Sequence, residues 1–193
     1  MKKLMVALAA FFLFYGIASA AVTVTPGSGG TNISADKAAN AASPAWTTLG
    51  NIVITEGANG DFAVGTNLTL ILAAPSNWNF NAGTGSVSHQ SGRNISASSI
   101  SVTSSTITVT YTVGGTNKAD TMTISGIQVR AIDGSQLPSS GNILRTIANP
   151  GTGTISGIVN GTTNFGSLSQ VVGTKNKVAF TTQPSATATT SVD

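Results

Sequence analysis

Eight consecutive residues narrow the possible folds of this protein more than any other stretch of it. Thr106-Ile107-Thr108-Val109-Thr110-Tyr111-Thr112-Val113 alternates threonine with large apolar side chains without a break. A period of two places Ile107, Val109, Tyr111 and Val113 on one face of an extended strand and the four threonines on the other. A helix would scatter the same apolar set around its circumference. The segment therefore predicts a half-buried antiparallel strand with a polar, uncharged outer face.

The same period recurs throughout the sequence. Ile100 and Val102 predict a shorter partner strand, with Thr103-Ser104-Ser105 as the hairpin link. Leu68, Leu70 and Leu72 share one parity and Ile71 the other, which predicts a more central strand over 67–73. Ile52–Thr55 is apolar enough to join the core. Further strands are expected near Val22–Thr25, Val87–Gln90, Ile143–Ala148, Thr154–Val159 and Phe165–Val171. Between Met122 and Ile132 the alternation changes phase at Ser125-Gly126, which predicts a β-bulge, with two separate short strands as the alternative. Asn59-Gly60, Gly114-Gly115, Asp133-Gly134 and Asn160-Gly161 offer residues that tolerate positive φ, and Asn160-Gly161 is the strongest hairpin signal among them. One short helical element is expected around Ser34–Ala42, with Ser34 as its N-cap. Many short strands without a βαβ rhythm predict an all-β, antiparallel β-sandwich, immunoglobulin-like or jelly-roll-like, with a closed barrel as the lesser alternative.

The first twenty residues follow a different rule. Lys2 and Lys3 precede an apolar run from Leu4 to Ile17, and Ala18-Ser19-Ala20 supplies small residues. Residues 1–20 therefore read as a cleavable signal peptide, cut before Ala21. The apolar run is shorter than the ~20 residues that span a bilayer, and no cysteine follows to carry a lipid. Removing Lys2 and Lys3 leaves seven basic residues against six acidic ones, which provides no electrostatic footprint for nucleic acid. The sequence predicts a secreted or extracellular cell-surface protein without membrane insertion after cleavage. With no cysteine, its stability must come from buried apolar area and sheet hydrogen bonds.

Residues 21–175 are expected to form the β-sandwich domain, and 176–193 a linker or the first strand of a following repeat. The stretch Val178-Ala179-Phe180-Thr181-Thr182-Gln183-Pro184-Ser185-Ala186-Thr187 resembles the opening of immunoglobulin-like repeats in very long bacterial surface proteins. Asn51–Gly57, Leu70–Pro75 and Ile124–Val129 are similar to the N-terminal module of large secreted adhesin-like proteins of that kind. The resemblance implies adhesion or surface architecture, with neighbouring modules or surface proteins as partners. It implies no catalytic residues.

The chemistry available to the protein is sparse. It contains no Gly-x-Ser-x-Gly elbow, no His-Glu-x-x-His motif and no phosphate loop. His89 is the only histidine, so a multi-histidine metal site is excluded, and its serine neighbours reflect composition. The carboxylates available for a glycosidase pair are Glu56, Asp61, Asp120 and Asp133, plus Asp36. Asp61, Asp120 and Asp133 sit beside turns or chain reversals, where aspartate commonly caps the backbone, so no such pair is expected. No catalytic residue and no cofactor are expected. Calcium is the one metal considered, because Glu56, Asn59 and Asp61 crowd oxygen ligands around a glycine turn. A sugar-binding alternative, with polysaccharide as partner, rests on Trp78 flanked by Asn77 and Asn79, and on Trp46 after Pro44. The alternation of Trp78 with Phe80 argues instead for Trp78 in the core, as it does for Tyr111.

Overall fold

A computed structural model describes residues 20–174. Residues 1–19 of the predicted signal peptide and the whole 176–193 segment lie outside the described residues. The described residues form an all-β sandwich of thirteen strands: β1 (Thr23–Thr25), β2 (Ile33–Ser34), β3 (Thr47–Thr48), β4 (Ile52–Thr55), β5 (Gly65–Ala73), β6 (Trp78–Phe80), β7 (Ser86–His89), β8 (Ile95–Val102), β9 (Thr106–Val113), β10 (Thr121–Ser125), β11 (Gln128–Ala131), β12 (Ser140–Arg145) and β13 (Asn164–Val171). One layer is a six-stranded sheet in the order β2-β13-β12-β5-β9-β8, antiparallel except for the β13–β2 pair. The other layer comprises a four-stranded sheet, β1-β4-β10-β7, and a three-stranded sheet, β3-β11-β6.

The long alternating segment is β9, and its apolar residues Ile107, Val109, Tyr111 and Val113 are all buried while its threonines are half-buried. It forms the predicted hairpin with β8, in which Val102 pairs with Ile107. Thr103 closes the link by accepting at Oγ1 from the backbone N–H groups of Ser105 and Thr106. β5 lies between β9 and β12, which accounts for its leucine-rich inner face. The buried faces of both layers merge into one core, where Phe62 meets Tyr111 edge-to-face at 5.7 Å. Around Ser34–Ala42 the backbone makes only a 3₁₀ turn over Ala35–Lys37, and Ser34 Oγ accepts from Asp36 N as its cap.

Two expectations are corrected. The phase slip near Gly126 is real, since Met122 and Ile124 are buried on one parity and Ile127, Val129 and Ala131 on the other. It is not a bulge inside one ladder. Gly126 takes φ +69° and the backbone starts a separate strand in a separate ladder. β10 lies between β4 and β7, and β11 lies between β3 and β6, so the outer layer breaks across three consecutive strand pairs at the same level. Thr154–Val159 is not a strand either. Ile155 makes an isolated bridge to Phe62, and Asn160-Gly161 is a turn whose Gly161 N–H donates to Arg145 O. Backbone from Pro150 to Gly153 bonds to β5 at Thr69 and Ile71, and the glycines at 151, 153 and 157 do not favour a long strand.

Candidate functional site

The three-stranded sheet presents a row of polar side chains on one face. Trp78, Phe80 and Val129 alternate inward and are buried, so Asn79, Asn81, Gln128, Arg130 and Thr48 fall on the opposite, half-exposed or exposed face. Register aligns them across the strands, with Gln128 opposite Thr48 and Arg130 opposite Asn79. Asn81 Nδ2 donates to Gln128 Oε1 at 2.7 Å, and Gln128 Nε2 donates to Thr48 Oγ1 at 3.3 Å. A row of amide and hydroxyl groups thus crosses all three strands.

Beside this row, the Arg130 guanidinium lies 4.2 Å over the ring of half-buried Trp46. Such a contact orders both side chains and holds the cation against an apolar support. Arg130 Nε is buried there without a hydrogen-bond partner. The face carries donors, acceptors and one positive charge, and it lacks any carboxylate. Chemically it suits neutral or acidic groups rich in hydroxyls, held by hydrogen bonds across a flat surface. Of the four candidate sugar-binding residues, the fold brings Trp46 and Asn79 to this face and sends the other two elsewhere.

Trp78 is only 2% exposed, so neither face of its indole is available for stacking on a ring. The sugar-stacking role considered for it is corrected: its β6 neighbours and the core fix it as a packing residue. Asn77 takes φ +64° and staples the Asp133 turn, donating from Nδ2 to Asp133 O and Ser139 Oγ and accepting at Oδ1 from Asp133 N.

The carboxylates are committed to the backbone. Glu56 accepts from Phe62 N and Asp120 N, both at 2.7 Å, and Asp61 Oδ2 accepts from Gly57 N and Ala58 N, both at 2.9 Å. Three of the four carboxylate oxygens considered for calcium therefore already face N–H donors, while Asn59 sits exposed in the turn. Among the described residues no group of three or more His, Asp or Glu side chains converges as a metal site. Asp120 accepts from Ile95 N, and Asp36 accepts from Thr174 N. Asp133 accepts from Ser135 N, Ser135 Oγ and Asn40 Nδ2, and those bonds, the backbone one first, hold its carboxyl below the usual aspartate value. His89 Nδ1 lies 2.9 Å from Ser98 Oγ, linking β7 to β8 where the two layers meet.

Sequence reasoning missed Arg130, Gln128, Asn81 and Thr48. Their signal was present: Gln128-Val129-Arg130 alternates around a core valine, which places both polar residues outward. What sequence could not supply was the register that sets them beside Asn79 and Trp46. Compared with family models, with curated proteins and with solved structures, the protein matches none, so the reading of this face rests on its own geometry.

Proposed function

We propose that this protein is a non-enzymatic structural or adhesion module, secreted or displayed at the cell surface, and the N-terminal part of a larger architecture. The observation that carries this reading is the outer face of the six-stranded sheet. There Ser99 and Ser101 pair with Thr110 and Thr108, and Thr69 and Ile71 pair with the same two threonines from the other side. The positions contain no charge, and an uncharged hydroxyl surface several strands wide contacts other surfaces without the desolvation penalty of ions. Its partners are neighbouring modules or surface proteins, and nucleic acid is not among them. The commitment of Glu56 and Asp61 to backbone N–H donors argues in the same direction, because carboxylates held in that way serve the fold. The reading is tested by fractionating the native host and measuring attachment of cells carrying Thr108→Lys/Thr110→Lys. The protein is expected in the envelope or medium, with weakened attachment in the variant. A soluble monomer confined to the cell interior overturns the proposal.

The amide face supports a second reading, binding to polysaccharide. Retention of the whole protein on insoluble polysaccharides, reduced by Trp46→Ala and Gln128→Ala, is its expected result. Equal retention of both variants, or none on a broad panel, removes it. Trp78→Ala is not a usable test, since it would open the core.

A further inference from the structure

We propose that the cleft beneath the 150–160 loop binds an organic carboxylate with a short aliphatic body, and that Arg145 is its anchor. Arg145 ends β12 on the inward parity and is 6% exposed. Its Nε donates to Pro150 O at 2.9 Å, and Nη2 donates to Gly153 O. Both acceptors are neutral carbonyls. The five carboxylates among the described residues bond to backbone N–H, hydroxyl or amide donors and none to this guanidinium. A buried cation without a counter-charge is costly, and carbonyl dipoles offset only part of that cost.

The remaining nitrogen shows where a counter-charge belongs. Nη1 has no hydrogen-bond partner among the described residues, and it is not among the unpartnered atoms sealed from solvent. Arg145 lines an open cleft of about 450 Å³, whose lining includes Thr154, Ile155, Ile158, Val159 and Asn160. The free edge of a planar guanidinium matches a carboxylate in geometry and charge. Val159, which is 57% exposed, offers contact to a short aliphatic group but not to a phosphate or sulfate. This site lies on the six-stranded sheet and does not depend on the proposed adhesive role.

The test is NMR titration of the whole protein, following the Gly151 and Gly153 amides and the Arg145 Nε–H signal. Butanoate and its neutral isostere butanamide are the first pair of probes, and N-acetyl-Ala-Val as acid and as amide the second. Saturable shifts with the acids and at least about tenfold weaker ones with the amides are expected. Tighter binding of the peptide acid would identify the carboxyl terminus of a polypeptide as the source of the carboxylate, and equal or weaker binding a free acid. Val159→Asp places a negative charge at the mouth without touching the hydrogen bonds of Arg145, so it is expected to fold and to lose binding by about tenfold or more. Arg145→Lys should weaken binding similarly where it folds. Equal shifts from acid and amide, no saturation to about 50 mM, or unchanged affinity in Val159→Asp overturns the proposal.

Discussion

Glu56 shows how polar burial is managed in a protein this poor in charge. It is 6% exposed, and its two oxygens accept from the backbone N–H groups of Phe62, in the following turn, and of Asp120, far along the sequence. Glu56→Ala would leave the Phe62 and Asp120 donors buried and unpaired, at about 1–3 kcal/mol each. Urea unfolding should register a loss of about 2–6 kcal/mol with an unchanged m-value, and a loss below about 1 kcal/mol would mean that water replaces the carboxylate. Tyr111 is the opposite case. Its hydroxyl is buried without a partner, and burial pushes the phenol up to about 12, against a smaller downward pull from Arg145. The folded state therefore favours the neutral form. That contribution is fully present below the unfolded value of 10.0 and is lost as pH rises through about 12. Wild type should lose about 2–3 kcal/mol more than Tyr111→Phe between those limits, while at neutral pH Tyr111→Phe should be neutral or slightly stabilising. Parallel denaturation curves for the two proteins across the alkaline range would contradict this.

Among the elements, the break in the outer layer is the least expected feature and the most testable. Gly126 at φ +69° and Gly85 at φ +92° abut where β10 gives way to β11 and β6 to β7. A Cβ on Gly126 would meet Gly85 at an ordinary 3.6 Å, so Gly126→Ala should cost only the left-handed backbone penalty of about 1 kcal/mol. A Cβ on Gly85 would come within 2.7 Å of Ile127 Cδ1, so Gly85→Ala should cost more, about 1–3 kcal/mol. Thermal unfolding of the two variants gives the ranking, and the reverse order would refute the steric account. The hairpin β8–β9 and the central strand β5 were legible because alternation and burial say the same thing there. The break was legible only as a phase change. Whether a slip ends a ladder depends on the neighbouring strands slipping at the same level, and one segment's sequence does not contain that information.

For the molecule as a whole, the sandwich follows from the short alternating strands, but the candidate face follows from register. Asn79 and Trp46 were visible as candidates from their types and positions. Arg130 and Gln128 became relevant only when β11 was placed between β3 and β6. Trp78, the most conspicuous aromatic in the sequence, was taken by the core because a sandwich of this size needs large inward side chains. The same economy of charge sets how the whole fold responds to salt. Exposed ion pairs are screened at high ionic strength, so a fold that relies on them weakens as salt is added. Here Glu56, Asp61 and Asp120 act through short buried or part-buried bonds to backbone N–H donors, and hydrogen bonds of Arg145 and Lys118 end on carbonyls. Little of that interaction is open to screening. Unfolding free energy measured in NaCl from about 0.05 to 0.5 M should therefore change by less than about 0.5 kcal/mol, or rise slightly as salt strengthens apolar burial. A fall of more than about 1 kcal/mol over that range would mean that ion pairs carry part of the stability, and the assignment of the carboxylates to backbone capping would have to be revised.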